Sequence, residues 1–364
     1  MKFRCERDVL VETLGTAGRA VSTRSGLPGL SGVQVELAGD QFTVTGSDLD
    51  LTITTSIEVS GESDGKAVIP SRLAADIVKA LSPGAVELST EDETLRISAG
   101  RSEFSIRLIT SDEFPEIAEI DASPVELDAE QLTHALKQVV LAASSDDSRP
   151  ILTGVLLAAE GDSLRLVATD SYRLAMKDID GIELLSEGEE VLVPSRALGE
   201  LHRILASGKS ASLRLGEKEA SFTVEGVTLT TRLIEGDFPN YRGLVPDHHP
   251  NTLTVNRSSL LDALRRVKLM APQEGTPVRI EMNEHGMELV AVTADVGTAR
   301  EVVESSYVGE DLVVAFNPRF LLEGLEVAPG DEVTLLTTDE LKPALIKSVG
   351  FDNYLYLLMP VRVS

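Results

Sequence analysis

One pattern recurs three times along this chain, and that recurrence limits its folds more than any other feature. Asp48, Asp170 and Asp295 each follow a strand-like apolar run, in VTGSDLDL (44–51), LVATDSYRLAM (166–176) and AVTADVGT (291–298), at spacings of 122 and 125 residues. Self-similarity at a fixed period means one structural unit repeated. Asp commonly closes a turn by accepting bonds from its own downstream backbone N–H groups. A catalytic carboxylate has no reason to appear once per repeat, so these three are expected to be scaffold. Only the middle copy continues with Tyr172-Arg173-Leu174.

Other landmarks recur in the same order. Each copy opens on a short strand and then a helical pattern: Leu10, Leu14, Ala17 and Val21; Leu132, Leu136, Val139 and Ala143; Leu260, Leu264, Val267 and Met270. That three- and four-residue spacing puts the apolar positions on one helix face. A second helix follows each Asp turn. AVIPSRLAADIVKAL (67–81) matches VLVPSRALGELHRIL (191–205), and the third version is VVAFNPRFLLEGL (313–325). Asn256 and Asn317 are the expected caps in the third copy, with Pro318 at the first helical position. Asp128 and Gln131 form a capping-box pattern in the second. The closing strands SIRLITSDEFP (105–115) and LTTRLIEGDFP (229–239) also match. The spacing predicts an α+β fold of three tandem repeats, 1–121, 122–249 and 250–364, each with two helices packed on mostly antiparallel strands.

The formal net charge is −26, which taken as an average repels phosphate. It is not evenly spread. The six helical windows (7–21, 70–82, 129–143, 194–206, 256–270 and 317–327) hold twelve Lys and Arg against eight Asp and Glu, so the excess negative charge lies outside them. Helices sharing one surface would make it mildly basic, suited to salt-sensitive contact with a phosphate backbone without base readout. The candidate residues are Arg24, Arg72, Arg149, Arg196, Arg203, Arg265, Arg266 and Lys268. The plainer reading is that these cations decorate solvated helix faces.

Catalytic parts are missing. GESDG (61–65) fits G-x-S-x-G, but a nucleophile elbow needs a strand before the Ser and a helix after it, and this stretch reads as an acidic hairpin loop. Gly208-Lys209-Ser210 resembles the end of a phosphate-binding loop, yet Arg203 stands where the first Gly belongs, so a helix-ending turn is expected. His248-His249 reads as polar linker; five His and one Cys give no zinc set. No cofactor is expected. Cys5 alone fits a buried structural thiol in a reducing cytoplasm. No run approaches membrane-spanning length, and the first residues lack a signal-peptide core.

VATDSYRLA (167–175), VPSR (193–196), RLIEGDFPNY (232–241) and LMPVR (358–362), in this order on a threefold repeat, resemble the DNA polymerase III β subunit, the sliding clamp of bacterial replication. The resemblance covers essentially the whole chain. It implies the DNA-clamp fold, a head-to-tail homodimer forming a six-domain ring with helices lining the hole, and no catalysis. It implies partners in duplex DNA, held topologically, and in the polymerase catalytic subunit, the clamp loader and other clamp-binding peptides. By position it assigns the dimer interface to Arg101, Phe104 and Ile106 against Leu269, Met270 and Glu301. It assigns a peptide groove to Leu152, Thr169, Tyr172, Arg173, Leu174, Pro246, Asn317, Phe320, Leu341, Pro343, Leu357, Leu358, Met359, Pro360, Val361 and Arg362.

The chain departs from the family pattern in three places. Ser171-Tyr172 stands where Gly-His is usual, Pro150 stands where an aromatic often follows the position of Arg149, and the chain runs on to Val363-Ser364. These suit a divergent or specialised clamp. Two readings from other classes compete: a structural repeat protein forming a lattice, and an enzyme using an Asp turn or Ser63. The gain of Tyr-Arg-Leu in one copy favours binding over both.

Overall fold

The computed structural model describes residues 1–362 except 23–26, 110–113, 116, 118–119, 183, 207, 247, 273–274 and 295. The first repeat contains β1 (Lys2–Glu6), α1 (Arg7–Gly18), β2 (Gly32–Ala38), β3 (Gln41–Ser47), β4 (Leu51–Glu58), β5 (Ser60–Ser63), β6 (Gly65–Pro70), α2 (Ser71–Ala80), β7 (Ala85–Glu91), β8 (Thr94–Ala99) and β9 (Ser102–Arg107). The second contains β10 (Val125–Asp128), α3 (Ala129–Val139), β11 (Gly154–Glu160), β12 (Ser163–Thr169), β13 (Arg173–Asp180), β14 (Glu190–Pro194), α4 (Ser195–Leu205), β15 (Ser210–Leu215), β16 (Glu219–Val224) and β17 (Val227–Arg232). The third contains β18 (Asn251–Asn256), α5 (Arg257–Lys268), β19 (Val278–Asn283), β20 (Gly286–Thr293), β21 (Gly297–Val303), β22 (Ser305–Val308), β23 (Leu312–Phe316), α6 (Pro318–Val327), β24 (Glu332–Thr337), β25 (Ala344–Ser348) and β26 (Phe351–Leu358). All six expected helices form.

Residues 1–130 and 200–233 make one compact unit, and residues 131–199 and 234–364 another. The first unit holds a five-stranded sheet, β5-β1-β7-β8-β9, and an eight-stranded sheet, β10-β15-β16-β17-β4-β3-β2-β6. One of its cores packs Leu10, Leu14 and Ala17 of α1 against Phe3, Val33, Phe42 and Val44, with the Phe3 and Phe42 ring centroids 4.3 Å apart. Gly46 lets α1 approach the sheet, since a Cβ there would lie 2.1 Å from the Ala17 carbonyl oxygen. The second unit holds a nine-stranded sheet, β14-β11-β12-β13-β26-β25-β24-β18-β22, and a four-stranded sheet, β21-β20-β19-β23. The two larger sheets each join consecutive repeats. β4 pairs with β17 from Leu51↔Thr231 to Thr55↔Val227, and β13 pairs with β26 from Arg173↔Leu358 to Lys177↔Tyr354.

Local signals behave as the residue chemistry requires. Asn256 Oδ1 accepts from the Ser259 N–H at 3.0 Å, and Asn317 Oδ1 from the Arg319 N–H at 2.9 Å, with Pro318 opening α6. Two expectations change. GESDG is not a hairpin loop: Ser63 ends the edge strand β5, which pairs with β1 and is followed by another strand, so no elbow exists. Cys5 is half-buried on β1 rather than fully buried, and burial, with help from Glu6, pushes its thiol up to about 11. Gly208 does end a helix, its N–H donating to the Leu205 carbonyl.

The Asp turns prove to be two of one kind and one of another. Asp48 Oδ1 accepts from the N–H groups of Asp50 (3.2 Å) and Leu51 (2.9 Å); Asp170 Oδ1 accepts from those of Tyr172 (2.9 Å) and Arg173 (3.0 Å). The residue after each Asp is left-handed, Leu49 at φ 81° and Ser171 at φ 80°. In the third copy Thr293 pairs with Gly297, whereas Ser47 pairs with Thr52 and Thr169 with Leu174. That connection is one residue shorter, and Gly297, at φ 140°, supplies backbone freedom for the tighter reversal. Asp295 lies outside the described residues.

A left-handed backbone costs an L-residue roughly 1–2 kcal/mol. Ser171→Gly is therefore expected to raise the stability by about 1 kcal/mol, read as a shift of the urea midpoint at unchanged slope. A fall in the midpoint would mean the Ser171 side chain holds the turn.

Candidate functional site

The middle Asp turn does more than reverse the chain. Asp170 Oδ2 takes the Arg173 Nε–H at 3.0 Å, and the Thr169 hydroxyl donates to the Arg173 carbonyl at 2.7 Å. The Arg173 guanidinium then reaches α6, where it pairs with Glu323 and lies 4.3 Å from the centroid of Phe320. Arg173 is only 6% exposed. An Arg so enclosed is held by two carboxylates and a ring face, an arrangement that fixes all its partners. It is a strut beneath the surface.

The strut positions an aromatic wall. The Tyr356 hydroxyl donates to the Phe320 carbonyl at 2.9 Å, and burial raises the Tyr356 pKa so that it stays a donor. The Tyr172 ring lies nearly parallel to Phe320, 6.5 Å between centroids, and is 61% exposed. The Met359 N–H donates to the Tyr172 carbonyl at 2.8 Å, bringing the C-terminal segment alongside. Leu341 and Met359 are exposed, and Pro246, Asn317, Phe320, Pro343, Pro360 and Val361 are half-buried. Arg362 is exposed. Leu174, Leu357 and Leu358 are fully buried, and Leu152 and Thr169 nearly so. Leu174 and Leu357 belong to a core with Leu156, Val167, Leu192, Tyr241 and Leu345. The sixteen expected groove positions thus divide into a buried floor, apolar apart from Thr169 and Arg173, and an open rim.

Glu323 was not foreseen. Its signal was present, because a Glu three residues after Phe320 on a helix shares its face. Nothing in the sequence tied it to Arg173, 150 residues away.

The basic candidates are mostly neutralised locally. Arg72 is 3.8 Å from Asp76, Arg149 2.9 Å from Asp146, Arg203 3.1 Å from Glu200 and Arg265 2.9 Å from Glu326. Arg266 pairs with Glu301. Arg196 is exposed and Lys268 half-buried; Arg24 lies outside the described residues. Exposed pairs of this kind are worth about 0–1 kcal/mol each, so they hold these cations only weakly.

The residues assigned to an interface fall on two open edges. β9 ends the five-stranded sheet and carries Phe104, 40% exposed, and Ile106, 9% exposed, with Arg101 exposed just before it. β21 ends the four-stranded sheet and carries Glu301; Leu269, 74% exposed, and Met270 follow α5.

Three family profiles match the chain in order. They are the N-terminal domain of the DNA polymerase III beta subunit over residues 1–118, its central domain over 126–240 and its C-terminal domain over 242–362. The chain belongs to the sliding-clamp family. It is 33% identical to the beta sliding clamp of Streptomyces coelicolor over the full length of both, and 30% identical to that of Staphylococcus aureus over all of this chain and 99% of the other. Among solved structures it matches the Bacillus subtilis sliding clamp (29% identity, TM-score 0.94) and the Bartonella birtlesii clamp bound to griselimycin (30% identity, TM-score 0.94), each over all of both chains. The sliding clamp is a processivity factor, and the α+β architecture found here is that of the family.

Floor and rim respond differently to substitution. Leu174→Ser is expected to destabilise by about 3 kcal/mol in denaturant unfolding, as buried leucine truncations do. Met359→Ser at the rim is expected to change stability by less than about 0.5 kcal/mol. Equal losses would place Met359 in the core.

Proposed function

We propose that this clamp works as a head-to-tail homodimer closed around duplex DNA, holding the polymerase through the Tyr172–Phe320–Met359 rim. The carrying observation is how successive repeats join. β4 pairs with the closing strand β17 of the next repeat, and β13 with the closing strand β26 of the repeat after. The equivalent strand of the third repeat is β21 and that of the first is β9, and both end their sheets unpaired. Pairing β21 of one protomer with β9 of another continues the rule. It would cover Phe104, Leu269 and Val302, the last 75% exposed. Two such junctions close a cyclic dimer and remove the open edges that would otherwise template further association.

Closure lets the inner contacts stay weak. A ring need not grip its DNA, so cations that trade acidic neighbours for phosphates suffice and permit sliding. The groove supplies the second half of the function: an apolar floor, two stacked aromatics and a methionine suit an extended apolar peptide. The polymerase catalytic subunit and clamp loader are the partners this reading expects, in the cytoplasm, with no catalytic step and no cofactor. Residues 1–121, 122–249 and 250–364 are its three clamp domains.

Loaded onto circular duplex DNA by a clamp loader, the protein is expected to stay bound until the circle is cut, then to slide off the ends. Retention on the linear product, measured by gel filtration, would refute topological tethering. Phe104→Arg puts an unpaired charge into the interface and is expected to give monomers in sedimentation velocity. A dimer of unchanged mass would rule out β9 as an interface strand.

A further inference from the structure

Beside the open edge of β23 lies a cavity of about 600 Å³. Val313, Ala315, Leu341 and Val361 give it apolar walls, with Val313 and Leu341 each about half exposed. Its charged lining is Arg279, Arg362 and Glu340. The Val361 N–H donates to the Ala315 carbonyl at 2.7 Å, laying the C-terminal segment against β23. Leu341, Val361 and Arg362 are therefore shared with the proposed groove.

The charge at this cavity differs from that of the chain around it. Neighbouring carboxylates are already engaged: Arg300 takes Glu288 at 2.8 Å and Glu281 at 3.8 Å, and Lys342 takes Asp339 at 3.5 Å. Asp339 also accepts from the Leu341 and Lys342 N–H groups. Among the described residues, neither Arg279 nor Arg362 has an ion-pair partner. Arg279 stands on β19 between Val278 and Ile280, both of whose side chains are buried in the sheet core, so its own side chain is on the outer face. In a chain of net charge −26, a lining of two guanidinium groups and one carboxylate, Glu340, beside an apolar wall is locally positive among the described residues. Arg fits carboxylates through a planar fork of N–H donors.

We propose that this cavity extends the peptide groove and receives an acidic flank of the docked peptide, with Arg279 and Arg362 as the residues that select it. The inference rests on the groove reading above. Glu340 at the same cavity would repel a second carboxylate, so one or two acidic residues fit better than a long acidic run.

The test uses labelled synthetic peptides with the same leucine and phenylalanine anchors, carrying Asp-Asp or Ser-Ser at the N-terminal or the C-terminal end. Binding is measured by fluorescence anisotropy on the full chain, with griselimycin as groove competitor. One Asp-tailed peptide is expected to bind about five-fold tighter than its Ser-tailed twin, with the advantage lost at high salt. Arg279→Gln is expected to abolish that advantage and leave the Ser-tailed affinity unchanged. Equal affinities of both tails, or an advantage that survives Arg279→Gln, would overturn the extension while leaving the groove intact. If no peptide bound and griselimycin displaced nothing, the groove reading would fall and this extension with it. Displacement of the Asp tail by a short single-stranded oligonucleotide on wild type, but not on Arg279→Gln, would assign the site to phosphate and refute the peptide reading.

Discussion

Backbone pairing across repeat boundaries is the constraint on which the rest of this structure depends. A repeat with its own sheets could have closed them internally. Instead β4 and β13 each hand their outer hydrogen-bonding edge to the closing strand of the following repeat. Backbone N–H and C=O groups at such an edge must find partners or face water. The middle repeat is satisfied on both sides. The first and third each keep one edge that the rule leaves open, and Phe104 and Val302 are exposed on those two strands. The proposed dimer would be the last instance of a pairing used twice within the chain.

The same pairing made a site possible. β13 lies against β26, so the turn before β13 meets the segment after β26, and Met359 bonds Tyr172 across that meeting. In the first repeat the equivalent turn carries Leu49-Asp50-Leu51, and the Asp50 carbonyl accepts from the Arg232 N–H at 3.0 Å. In the second, Arg173 occupies the position of Leu51 and reaches α6. A buried Arg with two carboxylates and an aromatic face adds little net stability relative to an apolar replacement, but breaking it by removing one partner costs about 3–5 kcal/mol. Its value here is orientation, since it fixes Phe320 and, through it, the Tyr172 wall. Ser171 in a left-handed conformation is the strain that the middle turn retains.

Charge follows a related economy. In the proposed ring, an acidic protein around acidic DNA would not need a strongly basic lining, because closure rather than grip would hold the DNA. Pairing Arg72, Arg149, Arg203 and Arg265 with nearby carboxylates keeps these cations soluble and weakly committed.

Much of this was legible in the residues themselves. Apolar spacing placed all six helices, Asn256 and Asn317 announced their caps, and the recurrence of Asp48 and Asp170 identified scaffold, because each of these signals is local and repeated. The break in the repeat at Tyr172-Arg173-Leu174 marked the stretch that the structure ties to α6 through Arg173. The sequence did not separate floor from rim: Leu174, Leu357 and Met359 are alike in composition, and only the sheet they enter decides which is buried. Nor did it show that Arg173 is enclosed, that Glu323 holds it, or that the third turn is shorter and differently built. Those outcomes depend on strands far apart in the chain being laid side by side. Local chemistry determined the elements of this protein; long-range pairing decided which side chains remained free to bind.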